Sequence, residues 1–260
     1  MSDALDAAEI TRGLQTRWLG QALSVKAETD STNSDCIALA RAGAPAGSVV
    51  VADFQRAGRG RRGRQWAAPP GAAVLLSCLL RPKLPASAVG RLGMAGALAV
   101  VGALRQACGL EAAVKYPNDV LLSGRKVCGV LPEAHLSGGR VEWAVLGIGI
   151  NVWPAAVPSE LAARATSLAA HAPPLPRNTL IRCLLEHLEP RLEQADDDPE
   201  ALAAAWRPLD VVLGRQVALT FGSLRREGLA ADVDADGRLL LRQPNGAEEW
   251  LAPAEVTFRG

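Results

Sequence analysis

Between residues 56 and 64 the chain reads Arg-Ala-Gly-Arg-Gly-Arg-Arg-Gly-Arg: five guanidinium groups and three glycines in nine residues, with no acidic residue among them. Like charges this close repel. An empty loop of this kind is therefore expected to be mobile, whereas a bound phosphate or carboxylate lets the arginines converge and the glycines bring backbone N–H groups within reach. Taken alone, the stretch also fits a solvated basic loop or a nucleic-acid patch. Its flanks say where it sits. Residues 48–55 and 74–80 are β-branched or apolar runs of strand length, so the loop hangs from a sheet.

The rest of the pattern extends that sheet. Ser31-Thr32-Asn33 puts hydroxyl and amide side chains where a helix N-cap is wanted, before a short helix ending near Gly43. Residues 86–108, rich in alanine and free of internal proline, predict one long helix stopped by Gly109 and backing the sheet. A strand meander follows at 112–115, 120–122, 126–131 and 141–151, with turns at 116–119 and 123–125. Residues 177–194 predict a helix kinked at Pro190, then an acidic break at 196–198 and a short helix ending before Pro208. Beyond it, five short strands at 216–221, 229–233, 239–242, 248–251 and 256–258 form a small β-barrel of about fifty residues, docked on the main domain because so small a core is marginal alone.

Composition removes several function classes. The net charge is +1, so no global field draws the molecule onto nucleic acid or an anionic membrane. The longest apolar runs, such as 95–104, fall short of the roughly 20 residues that cross a bilayer, and the acidic N-terminus lacks a secretory pattern. These features predict a soluble, cytoplasmic protein. Five dispersed cysteines and three lone histidines offer no disulfide framework and no metal-ligand spacing. No metal is expected from protein ligands alone; Mg2+ should arrive with phosphate.

Four clusters occur in order along the chain: Ser31-Thr32-Asn33; Gln55 with the arginine loop; Lys115-Tyr116-Pro117-Asn118-Asp119 with Lys126-Val127-Cys128-Gly129; and Gly147-Ile148-Gly149-Ile150-Asn151. In that order they resemble the biotin–protein ligases, from about Glu28 to Asn151 and more weakly into the C-terminal barrel. The resemblance implies an α/β (α+β) fold, with a class II aminoacyl-tRNA synthetase-like mixed sheet and helices over residues 1–207 and an SH3-like β-barrel over 208–260. It also implies an activity in which biotin and ATP give biotinyl-5′-AMP and pyrophosphate. The biotinyl group then passes to one lysine of a biotin carboxyl carrier domain in acetyl-CoA carboxylase or a related carboxylase. The chemistry asks for the residues present, because the biotin carboxylate and the α-phosphate repel and must be forced together by fixed cations and backbone donors.

By position, the resemblance assigns Ser31, Thr32, Asn33 and Gln55 to biotin, and Gly58, Arg59, Gly60 and Arg61 to the segment that wraps biotin and the adenylate phosphate. Arg61 matches the residue that keeps the adenylate from leaking away. Lys126 matches the lysine reaching the carboxylate and α-phosphate, and Gly129 permits close ligand approach. Trp66, Lys115, Asn118 and Asn151 are assigned to the nucleotide, and Asp119 to the incoming lysine amine or the magnesium shell. Arg62 and Arg64 read as solvated. Each residue also has a plainer reading: Ser31 to Asn33 as a helix cap, Trp66 as a core anchor, residues 117–119 as a turn, and Lys126 as a strand lysine whose stem lies on apolar surface.

The chain departs from the family pattern at Tyr116, where tryptophan is usual; this keeps an aromatic ring but removes an indole N–H. Pro132 interrupts a strand and places it at an edge or bulge. Only 27 residues precede Glu28, too few for the DNA-binding domain of some relatives, so no operator binding is expected. A lipoate or octanoate ligase shares the architecture and is the alternative enzyme; a nucleic-acid binding module is the other rival. A monomer and a homodimer both remain open.

Overall fold

The computed structural model describes residues 3–173, 175–221 and 224–258. Residues 1–2 and 259–260, the outer ends of the two predicted domains, lie outside them. The elements run α1 (Ala7–Thr11), β1 (Leu23–Thr29), α2 (Thr32–Arg41), β2 (Val49–Gln55), β3 (Ala73–Leu80), α3 (Gly90–Cys108), β4 (Ala113–Lys115), β5 (Asp119–Leu122), β6 (Arg125–Ser137), β7 (Arg140–Asn151), α4 (Arg177–Asp197) and α5 (Pro199–Trp206). Five further strands follow, β8 (Gln216–Phe221), β9 (Leu224–Val233), β10 (Leu239–Arg242), β11 (Glu248–Leu251) and β12 (Glu255–Phe258).

Strands β1 to β7 form one mixed sheet in the order β1-β2-β3-β7-β6-β5-β4. Only β1 and β2 are parallel, because α2 supplies the crossover that a parallel pair requires. The continuous apolar run of β3 reflects burial of all eight of its residues on both faces. One face carries Val74, Leu76 and Cys78 into the main core beneath α3 and α4. On the other face α2 covers Val50, Leu79 and Val145, and Trp66, Ala68 and Ala156 pack over Ala73 and Leu75; between these two patches the sheet borders an open cleft.

Helix α3 ends as expected at Gly109, whose φ of 64° is left-handed and whose N–H caps the Arg105 carbonyl. With its lead-in, the segment Ala86–Cys108 is 23 residues long and apolar enough to cross a membrane, longer than the runs read from sequence, yet it is largely buried against the sheet and α4. Gly96 allows this packing: a Cβ there would lie 2.7 Å from Val130.

Three elements exceed their predicted bounds. Strand β6 continues to Ser137 rather than stopping at residue 131, because residues 132–137 pair with β7 across the Gly138-Gly139 turn, where both glycines have positive φ. Beyond Gly129, β6 has no β5 partner, so Pro132 does sit at a sheet edge. Helix α4 runs unbroken through Pro190 to Asp197; Pro190 lies on the exposed side. The predicted acidic break is a junction, in which Asp198 ends α4 and caps α5 through the Ala201 N–H. Strand β9 starts at Leu224 rather than residue 229, paired with β8 along its length.

The second sheet is antiparallel, in the order β11-β10-β9-β8-β12. It docks through the stretch entering it. Asp210 accepts hydrogen bonds from Trp206 Nε1 at 2.7 Å and from the Tyr116 and Val212 N–H groups, and burial raises its carboxyl above the usual range. The Tyr116 hydroxyl donates to the Gly237 carbonyl at 3.0 Å, so tyrosine in place of tryptophan ties the two sheets together.

Candidate active site

The open half of the main sheet is a cleft of about 910 Å³. Its floor is made by absent side chains. In the cross-strand row Ser77, Gly147, Leu131 and the next row Leu75, Gly149, Gly129, glycines occupy positions that face the cleft. A Cβ at Gly147 would lie 2.2 Å from Asn33 Oδ1; at Gly149 it would lie 2.6 Å, and at Gly129 3.0 Å, from the Trp66 ring. These glycines therefore seat Asn33 and Trp66 directly against the sheet.

At the inner end, Ser31 stands at the α2 N-cap position without a side-chain cap, so the capping reading is not what the structure shows. Gln55 Oε1, from the end of β2, accepts the Thr32 N–H at 2.8 Å in its place. Thr32 Oγ1 lies 3.0 Å from Gln55 Oε1 and 2.7 Å from Ser77 Oγ, and Ser77 donates to Asn33 Oδ1 at 2.5 Å. Asn33 Nδ2 donates in turn to Glu133 at 2.6 Å. Thr32, Asn33 and Ser77 are buried, forming a neutral, mutually bonded polar floor.

The arginine loop closes one side as a small hairpin. Arg59 pairs with Gln65, and the Trp66 N–H reaches the Gly58 carbonyl at 2.9 Å. Arg62 and Gly63 both have positive φ, 57° and 72°, in a primed turn closed by Arg64 N–H to Arg61 O. The expected repulsion is countered by groups from elsewhere in the chain. Arg56 pairs with Glu28 and Asp30, and Arg59 with Glu133 at 3.0 Å. Arg62 and Arg64, read from sequence as solvated, both clasp Glu255 of β12, and Arg62 also donates to the Thr220 carbonyl. Arg61 donates to Asn118 Oδ1 and to the Pro253 carbonyl, each at 3.1 Å; its burial lowers the guanidinium pKa.

The opposite wall is the β4–β6 segment. Lys126 Nζ lies 2.6 Å from Asp119 Oδ1 and 5.6 Å from the centre of the Trp66 ring. Lys115 Nζ sits 5.0 Å above the Phe258 ring of β12, and Asn118 Nδ2 donates to the Val130 carbonyl at 2.6 Å. The outer end is closed by the segment around residues 156–165. Asn151 Nδ2 bonds the Thr166 carbonyl at 3.0 Å, and the backbone of Lys126 pairs with Arg164 and Thr166.

Of the residues singled out from sequence, all but Gly58 line this one cleft. Gly58 lies beneath it, where a Cβ would meet the Trp66 carbonyl at 2.3 Å. Trp66 combines both readings offered for it: its ring packs with Ala68, Ala73, Leu75 and Ala156, yet its Nε1–H is buried with no partner among the described residues. Such an orphan donor is rare in a folded interior. Ser77, Glu133, Glu255 and Phe258 were missed from sequence. Ser77 had a signal, being the one polar residue in the run A-V-L-L-S-C-L-L; the other three meet the site only through long-range pairing.

A neutral polar recess opening onto cations from two separate segments is the cleft of an acyl-activating ligase. Residues 26–151 match the model of the biotin/lipoate A/B protein ligase family, and residues 212–259 that of the biotin protein ligase C-terminal domain. The biotin–[acetyl-CoA-carboxylase] ligase of Paracoccus denitrificans is 37% identical over 243 residues, 90% of this chain and 99% of the relative. That of Mycobacterium tuberculosis is 38% identical over 226 residues, 84% and 82% of the two chains. Among solved structures, the biotin protein ligase of Aquifex aeolicus in complex with biotin and ATP superposes with a TM-score of 0.77 at 27% identity, covering 92% of this chain and 100% of the other. The chain belongs to the biotin/lipoate A/B protein ligase family.

Proposed function

We infer that this protein condenses biotin with ATP to biotinyl-5′-AMP and transfers the biotinyl group to a lysine of a carrier domain in a carboxylase such as acetyl-CoA carboxylase. The observation that carries this reading is that Lys126 and the arginine loop, 60 or more residues apart in the chain, border one cleft beside the closed polar floor. A biotin carboxylate oxygen attacks the α-phosphorus and pyrophosphate leaves. The carrier amine then attacks the acyl carbonyl, AMP leaves, the amide forms and the amine gives up a proton.

Lys126, Arg59 and Arg61 offset the repulsion between the two anions, and they act in a cleft where charge is screened less than in bulk water. Thr32, Asn33 and Gln55 with Ser31 face the ureido ring. Trp66, Lys115 and Asn118 serve the nucleotide, and Asn151 serves it by holding the 156–166 segment in place. Asp119, paired to Lys126, stands nearest the attacking amine. Gly58 contributes through packing beneath Trp66, while Gly60 and Gly129 give the ligand access to backbone. Magnesium enters with ATP, held by its phosphates rather than by a dedicated set of protein ligands.

Residues 1–207 form the catalytic unit and 208–260 the unit that docks over the loop. The reading includes neither nucleic acid nor membrane, and the unpaired cysteines fit a reducing cytoplasm. The polar floor favours biotin over lipoate or octanoate, because a ureido ring can exchange hydrogen bonds with Thr32, Asn33 and Ser77 whereas an apolar tail offers them none. ATP–pyrophosphate exchange tests this: biotin is expected to support exchange and lipoate or octanoate not to. Silence with biotin together with exchange on octanoate overturns it.

A further inference from the structure

We propose that Glu133 is a positioning residue for biotin activation: one carboxylate orients the neutral floor through Asn33 and holds Arg59 of the arginine loop. This rests on the function inferred above and assigns it a residue outside the sequence motifs.

Glu133 Oε2 takes Asn33 Nδ2 at 2.6 Å and Arg59 Nη2 at 3.0 Å, so a single oxygen joins the Ser-Thr-Asn cluster to the loop. A carboxylate only accepts, and this fixes which end of the Asn33 amide faces it. The amide oxygen must then point to Ser77 and lie over Gly147, where the missing Cβ leaves it room. Ser77 has one proton and gives it to Asn33 Oδ1, the partner that has none to offer. Thr32 gives its own proton to Gln55 Oε1 at 3.0 Å, so at 2.7 Å its oxygen meets the Ser77 hydroxyl as a second acceptor. The orientation of the Asn33 amide and of the Ser77 hydroxyl therefore follows in series from the charge on Glu133.

The other arm concerns the loop. Arg59 and Glu133 are both half-exposed, so their ion pair adds little to stability; it sets where a long, flexible cation waits. Glu133 lies on the part of β6 that has no β5 neighbour, so its side chain is not needed to pair strands. Two roles converge on a residue that the core does not require.

The test measures the Michaelis constants for biotin and ATP in pyrophosphate exchange, with thermal midpoints alongside. Glu133→Gln removes the charge and can donate as well as accept, so it is expected to raise the KM for biotin about tenfold while leaving the KM for ATP and the midpoint nearly unchanged. Combined with Arg59→Ala, its effect is smaller than in the parent, since the two residues share one interaction. Asn33→Asp sets two carboxylates against each other; adding Glu133→Gln restores a donor–acceptor pair and lowers the KM for biotin relative to Asn33→Asp alone. An unchanged KM for biotin in Glu133→Gln, or independent multiplication with Arg59→Ala, overturns the proposal. A wild-type protein without biotin-dependent exchange overturns instead the function on which it rests.

Discussion

On the floor of the cleft Thr32, Asn33 and Ser77 are neutral, buried and hydrogen-bonded to one another, whereas the charged groups at its rim keep substantial exposure, 34% for the Lys126 side chain and 39% for that of Arg59. The division follows from desolvation. Neutral groups can be buried if they satisfy each other, while a cation buried without its substrate would lack a partner. The floor can therefore be rigid and read shape, and the rim must hold cations on provisional partners that an anionic ligand displaces. Glu133, Asp119 and Glu255 are those partners.

Lys126→Ala is the severest way to test the contrast. It removes the cation that stands beside Trp66 on the wall opposite the loop and leaves Asp119 without its Lys126 partner. Biotin-dependent pyrophosphate exchange should fall by roughly 100-fold or more, the scale seen when a preorganised charge-stabilising group is lost, with little change in the melting temperature because the site is half-exposed. A fall of less than about fivefold would place the charge stabilisation elsewhere.

Gly147→Ala attacks the floor instead. The added methyl meets Asn33 Oδ1 at 2.2 Å, so Asn33 must move and its bonds to Ser77 and Glu133 break together. Binding of biotin, read by isothermal titration, should weaken about 10- to 100-fold, the range of one to two disrupted buried hydrogen bonds. ATP binding should stay within about twofold, because the Lys126–Asp119 pair and the Glu255 clasp of Arg62 and Arg64 are untouched. Equal losses for both ligands would mean that floor and rim are one unit.

The two regions were unequally legible in the sequence. Strands β2, β3 and β7 and helix α3 were readable because each carries a full apolar run with its own stop signal, Gly109 in the last case. The motif residues border one cleft, apart from Gly58, although they are spread over more than a hundred positions of the chain. What escaped was set by distance. The arginine loop contains no acid, so its local sequence spoke only of repulsion, and its counter-charges come from Glu28, Asp30, Glu133 and Glu255. The continuation of α4 through Pro190 was hidden for a similar reason: the local rule counts a lost hydrogen bond, while helix packing on α3 and exposure of the proline decide the outcome. Strand β1 gave no clean alternation because, at the sheet edge, its residues are mostly half-buried or exposed.

Glu255→Gln has the smallest expected effect and bears on whether the rim depends on the second sheet. The Arg64 hydrogen bond, and then Arg62, hold the Glu255 carboxyl below its ordinary value of 4.5. Its folded pKa being depressed, the contribution to stability is present above that ordinary value and is lost as pH falls through the lower, folded one. Because the pair is largely solvated, the loss should be no more than about 1 kcal/mol at neutral pH and should vanish for the Gln variant compared with wild type in strong acid. The loop should respond more than the fold does. Freed of Glu255, Arg62 and Arg64 become better trypsin sites, and cleavage within residues 56–64 should quicken by roughly threefold in the absence of ligands, since a local opening costs less than global unfolding. Adding biotin and ATP should restore protection, because the anions then replace the acidic partner that β12 supplied. If cleavage is unchanged in the variant, the C-terminal sheet does not hold the rim, and the provisional partners reduce to Glu133 and Asp119 within the catalytic sheet itself.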